Sequence, residues 1–311
     1  MTSLRSSLSA YLAMRRALGF KLQRYEAHLL DFVAYMERHR TRRITGKRIV
    51  DWVQENPSIE PCYQGLRFGA VRGFAVYHET VDPRTEVPPT DLMPRTRGRN
   101  RFYLYSDAEI QRLLAETLKH RVGATSISRW VRYTLYGLLS VTGLRIGEAL
   151  RLDVNDVDME RGILHIRDSK FRKSRLVPIH SSTTKALKNY LRRRDKYFNG
   201  RGIEPLFVSR HGTRLSHNDA WKSLVRLSRK IGLRGPTDRR GPRLHDFRHR
   251  AATQVLLQCY RSGADPERRL PALSTYLGHS DLRHTYWYLH QHPALMKGAV
   301  RRLEHGWGRE R

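Results

Sequence analysis

Apolar side chains recur at three- and four-residue intervals from the start of the chain. Leu4, Leu8, Tyr11 and Leu12 fall on one helical face, as do Leu22, Tyr25, Leu29, Phe32 and Tyr35. Residues 45–54 and 63–79 carry the same period, with Pro57 and Pro61 between them. No sustained alternation interrupts them, so the spacing predicts a small all-helical bundle. From Asp82 the pattern breaks. The stretch DPRTEVPPTDLMPRTRGRN holds four prolines and, with Arg101, five arginines, but few large apolar groups. Proline keeps such a stretch extended and arginine can track phosphates, so it reads as a linker. A solvated spacer has the same composition.

Helical spacing resumes at residues 106–118. There Ser106 and Glu109 have the separation of a capping box ahead of Ile110, Leu113 and Leu114. Residues 130–141 form a strongly apolar helix that Gly143 ends, and a short helix follows at 145–150. Past Gly162, residues 163–166 and 176–179 read as two strands around a basic hairpin tip, RDSKFRKSR. Residues 206–209 suggest a third strand. A helix over 216–231 starts with Asp219 placed for a capping box. The basic loop GLRGPTDRRGPR leads to a helix over 245–260, stopped by Ser262 and Gly263, and helices over 270–277 and 281–289 complete the order. The expected fold is mainly α with a small β-sheet. The expected organisation is a helical domain at 1–82, a linker at 83–104 and a second domain at 105–311.

Charge changes the picture. The 311 residues carry 59 Lys and Arg against 29 Asp and Glu, a net charge of +30. Residues 1–90 hold 14 basic and 9 acidic side chains, and the remaining 45 and 20 lie beyond them. Such an excess repels itself unless a polyanion neutralises it, and nucleic acid is the usual one. Binding through phosphates weakens steeply with salt. A ribosomal or chromatin-type binder without chemistry has the same charge. Cys62 and Cys259 are too few for a disulfide framework or a four-cysteine zinc site. Residues 1–10 have no secretory pattern and no apolar run spans a bilayer. These features predict a soluble, cytoplasmic, nucleoid-associated protein.

Four motifs carry candidate chemistry: TGLRIGEALRL with Arg145, the hairpin tip with Lys170, HDFRH with His245 and Arg248, and LGHSDLRHTYWYLH with His279, Tyr286 and Tyr288. Cutting a phosphodiester requires stabilising charge on the non-bridging oxygens, which two guanidiniums can clamp with bidentate hydrogen bonds. It also requires an in-line nucleophile and a proton for the leaving oxygen. Tyrosine can be a covalent nucleophile, and the covalent link conserves the phosphodiester energy for rejoining. Each residue alone has an ordinary reading. Arg145 could simply pair with Glu148, Lys173 rivals Lys170, and His245 and His249 have a metal-binding spacing without a third ligand.

In order and wording the motifs resemble the tyrosine recombinase (integrase) family, which includes the Xer recombinases and phage integrases. TGLRIGEAL is similar to the first-arginine motif, with Glu148 at its acidic position. Lys170 matches the family's hairpin lysine, HDFRH its His-x-x-Arg box and LGHS the box holding His279. Tyr288 lies nine residues after His279, the family's spacing for the nucleophile. The resemblance spans roughly residues 105–292. It implies that Arg145 and Arg248 clamp the scissile phosphate, with His279 bonded to it. Lys170 would protonate the departing 5′ oxygen, and His245 would contact the phosphate or assist proton transfer at Tyr288. Tyr288 would form a 3′-phosphotyrosine, later attacked by a 5′-hydroxyl from a partner strand. It further implies a two-domain clamp on double-stranded DNA, a homotetramer in the synaptic complex, and no cofactor or metal. A mobile-element recombinase is the preferred role. A catalytically silent DNA-binding protein, a type IB topoisomerase and a metal-dependent nuclease are the alternatives. Tyr286 is the alternative nucleophile. The basic tail after His292 would dock on a neighbouring protomer or, as an amphipathic helix, on its own chain.

Overall fold

The structure, a computed structural model, describes residues 3–20, 22–93, 102–119, 127–167, 174–279, 281–289 and 293–307. It divides into two compact units, Met1–Asn100 and Arg101–Arg311.

The first unit consists of four helices. α1 (Leu4–Ala17) begins at Ser3, whose hydroxyl accepts from the Ser6 amide. After a turn through Gly19 come α2 (Gln23–Arg38) and α3 (Gly46–Gln54), the latter capped by Thr45. α4 (Pro61–Glu79) has proline in its first turn, where no amide proton is needed. Their apolar stripes meet in one core containing Leu8, Leu29, Phe32, Trp52, Phe68, Val71 and Phe74. Tyr25, which shares the helical period, stays on the surface. The first part of the proline-rich stretch is built into this unit. The Glu86 amide donates to Ile44 O (3.0 Å), Arg72 donates to Pro88 O (2.8 Å) and Met93 is buried in the core. Residues 94–101 lie outside the described residues.

The second unit is mostly helical. The capping box at Ser106 and Glu109 opens α5 (Asp107–Lys119) with both reciprocal bonds made. α6 (Ile127–Thr142) and α7 (Ile146–Arg151) flank Gly143. An antiparallel sheet follows in the order β1 (Val157–Asp158), β2 (Ile163–Ile166) and β3 (Arg175–Pro178). Its register places Leu164 opposite both Val157 and Val177, burying the three together. The remaining helices are α8 (Ser181–Tyr197), α9 (His217–Lys230), α10 (Asp246–Arg261), α11 (Pro266–Leu277), α12 (Arg283–Leu289) and α13 (Pro293–Trp307).

Two sequence expectations change. The third strand of the sheet is Val157–Asp158, not residues 206–209. That segment makes one isolated bridge, Val208 to Arg214, beside another at Pro205, and threads Leu206, Phe207 and Val208 through the core as a buried connection. A short apolar run has the same appearance in a strand and in a buried connector. The spacing also gave no sign of α8, whose sequence SSTTKALKNYLRRRDKY is strongly polar. Its buried face uses Thr184 and Arg194 beside Leu187 and Tyr190, and Arg194 donates to the Ile203 carbonyl. A long basic side chain can cover apolar surface with its stem.

α10 crosses the middle of the unit. Phe247 lies stacked between Tyr105 (4.9 Å between centroids) and Tyr136 (5.8 Å), which fixes the rotation of the helix. α13 packs on α10 of the same chain with Leu295 buried, and Gly298 admits the Tyr260 ring. Among the described residues no helix is long and apolar enough to cross a membrane.

Candidate active site

Turning Phe247 into the core presents His245, Arg248 and His249 on another face of α10, at helical spacing. That face meets two chain reversals. At Gly143 the backbone has φ +63°, and an added Cβ would lie 3.0 Å from Ala251 Cβ and 3.2 Å from Leu277. Glycine is required there both for the left-handed turn and for close approach of α10 and α11. The second reversal ends α11. Gly278 has φ +68°, its amide bonds to Thr275 O, and the His279 amide bonds to Ser274 O (2.9 Å). This Schellman-type ending places His279 immediately outside the helix.

The arginines attach to these reversals. Arg248 is 1% exposed and donates to Gly143 O (3.0 Å) and Leu277 O (2.7 Å). Arg145, at the start of α7, donates to Gly278 O (2.8 Å) and to Glu148 (2.7 Å). The carbonyls at a helix C-terminus are unsatisfied and carry negative partial charge, which suits guanidinium donors. Glu148 is buried, and burial alone would push its carboxyl up. Hydrogen bonds and charge from Arg175, then from Arg145, outweigh that and hold it down to about 2.

His279 is fixed through Nδ1, which lies 2.7 Å from Thr285 Oγ1 on α12. Thr285 is fully buried, and Tyr288 follows three residues later on the same face. Tyr288 is 2% exposed, and its ring lies 5.5 Å from that of His249 and 6.2 Å from that of His279. Tyr286 is 40% exposed and faces elsewhere. The site thus brings Arg145, His245, Arg248, His279 and Tyr288 together, whereas Lys170 lies outside the described residues. Positive charge is concentrated there. Burial and then Arg145 hold Arg248 down to about 10. Desolvation, then Arg248 and Arg145, lower His279 to about 3 and His245 to about 4. Neutral imidazoles beside two fixed guanidiniums form a receptor for an anionic oxygen.

Comparison with known proteins places the chain in a family. The model of the phage integrase family matches residues 105–294. The chain belongs to the phage integrase family. Over 310 residues it is 47% identical to a Sinorhizobium fredii protein called integrase/recombinase y4rB, covering 99% of each chain. It is 33% identical to a second protein of that organism, integrase/recombinase y4rE, covering 90% of this chain and 89% of the relative. Among solved structures, the Tn1549 transposon integrase in complex with transposon right end DNA aligns with a TM-score of 0.67 at 15% identity, covering 96% of this chain and 98% of the other. The fold is therefore that of the phage integrases, and the chain is a tyrosine-type site-specific recombinase.

Within this phage integrase site, sequence reasoning passed over two groups. Arg175 appeared only as one of several basic residues of the hairpin. In the sequence His249 stands out only as half of a metal-binding spacing with His245. Among the described residues there is no group of three or more His, Cys, Asp or Glu placed to hold a metal. Instead the His249 ring stacks on Phe102 (4.6 Å) and meets Trp287 and Tyr288 edge-on, and its buried Nδ1 has no hydrogen-bond partner. The four-residue step from His245, read together with the aromatic Trp287-Tyr288 pair, was the available signal.

Burial, followed by His245 and Arg243, holds His249 down to about 3. Below pH 6.5 the unfolded chain therefore takes up a proton that the folded chain refuses. Stability is complete above that pH and falls as pH drops toward 3. At about 1.4 kcal/mol per pH unit, this one group costs on the order of 2 kcal/mol at pH 5. His249→Phe keeps the aromatic packing and removes the titration. The drop in melting temperature between pH 7 and pH 5 should shrink in that variant, and an unchanged drop would refute the assignment.

Proposed function

We propose that the protein cuts and rejoins double-stranded DNA at specific sites through a 3′-phosphotyrosine at Tyr288, as the recombinase of a mobile element. The observation that carries this reading is the gathering of Arg145, Arg248 and His279 at the end of α11, with the buried Tyr288 beside Arg248 and His279, inside a chain of net charge +30. The two guanidiniums bind the non-bridging oxygens of the scissile phosphate, and His279 donates to the same group. Thr285 Oγ1 and His279 Nδ1 share one hydrogen bond, and donation by the hydroxyl would leave the proton of the neutral imidazole on Nε2. His245 contacts the phosphate or moves the Tyr288 proton, and Lys170 protonates the 5′ oxygen as it leaves. The tyrosyl oxygen bonds to phosphorus as the bond to that oxygen breaks. A 5′-hydroxyl from a second strand later reverses the step and releases Tyr288. Arg248 and Tyr288 are almost inaccessible, so α12 moves away from α10 when a phosphate enters.

Cleavage confined to paired protomers within a homotetramer on two duplexes accounts for exchange rather than simple nicking. The relatives named as integrase/recombinase and the similarity to a transposon integrase favour a mobile element. The test is a duplex bearing the element's end sequences, nicked near the cleavage point so that a short fragment diffuses away and prevents religation. Incubation in EDTA should yield a protein–DNA adduct on a denaturing gel, with mass spectrometry locating a 3′-phosphate on the protein. Tight specific binding with no adduct would favour a catalytically silent DNA-binding protein.

A phosphate beside Arg145 and Arg248 offsets part of the positive charge that, after desolvation, lowers both histidines. His279 and His245 are neutral at pH 6 in the free protein, and an anion beside them raises both. Binding should then take up protons, and affinity should rise as pH falls from 7 toward 5.5. Calorimetry of Tyr288→Phe with duplex, in buffers of different ionisation enthalpy, measures this. Proton release or no linkage at pH 6 would contradict it.

A further inference from the structure

Three consecutive carbonyls at the end of α11 each accept from a guanidinium. Leu277 O takes Arg248 (2.7 Å) and Gly278 O takes Arg145 (2.8 Å), while Tyr276 O takes Nε of Arg175 (2.8 Å). The first two arginines are the phosphate ligands of the proposed reaction. Arg175, the first residue of β3, has no part in it so far. Its two remaining nitrogens grip both oxygens of Glu148, at 3.1 and 2.9 Å. The Glu148 side chain is 1% exposed, and its other bonds go to the Arg145 guanidinium (2.7 Å) and the Arg145 amide (3.0 Å). Gly278 packs directly on Arg175, since an added Cβ would lie 2.8 Å from one of its nitrogens.

All three guanidinium nitrogens of Arg175 are therefore used to join three separate segments: β3, the start of α7 and the end of α11. A surface ion pair has no such geometry and contributes little. Here the planar fork meets a buried carboxylate from one side and a helix terminus from the other, which lysine cannot reproduce. Among the described residues the Arg145 guanidinium is held by Glu148 and Gly278 O, and Arg175 touches both of these residues.

We propose that Arg175 is a positioning residue for strand cleavage: through Glu148 and the Tyr276–Gly278 turn, it sets the direction in which Arg145 and His279 meet the scissile phosphate. This rests on the reading of Arg145 and His279 as phosphate ligands. Loss of Arg175 leaves DNA affinity nearly intact, because the wider basic surface supplies it, and slows the chemical step. A misplacement of about 1 Å at a reacting group costs on the order of 10²-fold in rate.

The experiment compares full-length wild type, Arg175→Lys, Arg175→Ala and Arg145→Ala. Arg175→Lys retains the charge and guards against misfolding of the alanine variant. Single-turnover adduct formation is measured on the nicked duplex, alongside the Kd for intact duplex. It is measured again with a 5′-bridging phosphorothiolate, whose leaving group needs no general acid. Thermal stabilisation by orthovanadate probes the anion site without cleavage. The expected result is a rate loss of about 10²-fold in Arg175→Lys at nearly unchanged Kd, with no recovery on the phosphorothiolate. Guanidinium ion at sub-denaturing concentration should restore part of the rate of Arg175→Ala. The vanadate shift should fall to that of Arg145→Ala. Wild-type rates in both Arg175 variants overturn the inference and leave the phosphotyrosine reading standing. Full recovery on the phosphorothiolate also overturns it, by moving Arg175 to the leaving-group side. A wild-type protein that forms no adduct removes the phosphotyrosine reading. The vanadate shift then decides Arg175 by itself: an unchanged shift in Arg175→Lys rejects the positioning role.

Discussion

Tyr288→Phe should abolish the covalent protein–DNA adduct, by about 10⁴-fold or more, while DNA binding stays close to wild type. Only the nucleophilic oxygen is lost. The ring remains to pack between His249, His279 and Trp287, at 5.5, 6.2 and 5.6 Å between centroids. Tyr286→Phe should form the adduct at the wild-type rate, because that side chain lies on the surface, away from Arg248. The two variants give opposite outcomes on one gel with the nicked duplex. If Tyr286→Phe loses the adduct and Tyr288→Phe keeps it, the nucleophile assignment is wrong. If both keep it, the chemistry passes through another residue altogether.

Replacing Arg145 or Arg248, the proposed phosphate ligands, by alanine should slow cleavage by about 10²–10³-fold, the usual cost of removing one donor to a developing charge. Stability should separate the two. Arg248 is enclosed, and its loss strands the carbonyls of Gly143 and Leu277 inside the unit. Each buried unsatisfied group costs about 1–3 kcal/mol. Relief of repulsion with Arg145 offsets part of this, so Arg248→Ala should lose about 3 kcal/mol. The Arg145 side chain is 26% exposed, and Glu148 keeps both bonds from Arg175 when it is gone. Arg145→Ala should therefore lose about 1 kcal/mol. Denaturant melts read alongside single-turnover rates distinguish these cases. An Arg248→Ala protein as stable as wild type would show that the side chain is not held as described.

Much of the site was legible because its local geometry is periodic or involves special backbone. His245, Arg248 and His249 share a face by helical spacing alone. Gly143 and Gly278 announce reversals that only glycine makes cheaply, and the second of them delivers His279. The distance from His279 favours Tyr288 over Tyr286, and the fold buries the first and exposes the second. Where local signals were weak or shared, the reading failed. α8 hides its apolar face among lysines and arginines, and residues 206–209 resemble a strand because buried connectors are also apolar. The proline-rich stretch gave no hint that Glu86, Pro88 and Met93 dock on the helical unit, because their partners Ile44 and Arg72 lie far back in the chain.

Local sequence thus determined which chemistry this protein can perform: the helices, the two glycine reversals and the residue types placed beside them. Tertiary structure alone decided which of its 59 basic side chains are rigidly held at the site. Arg145 meets Gly278 across 133 residues, Arg248 meets Gly143 across 105 and Arg175 meets Tyr276 across 101. No periodicity encodes such pairs. They arise because Phe247 sets the rotation of α10, Gly143 lets α11 approach, and the end of α11 then offers three bare carbonyls to whichever guanidiniums the packing has brought near.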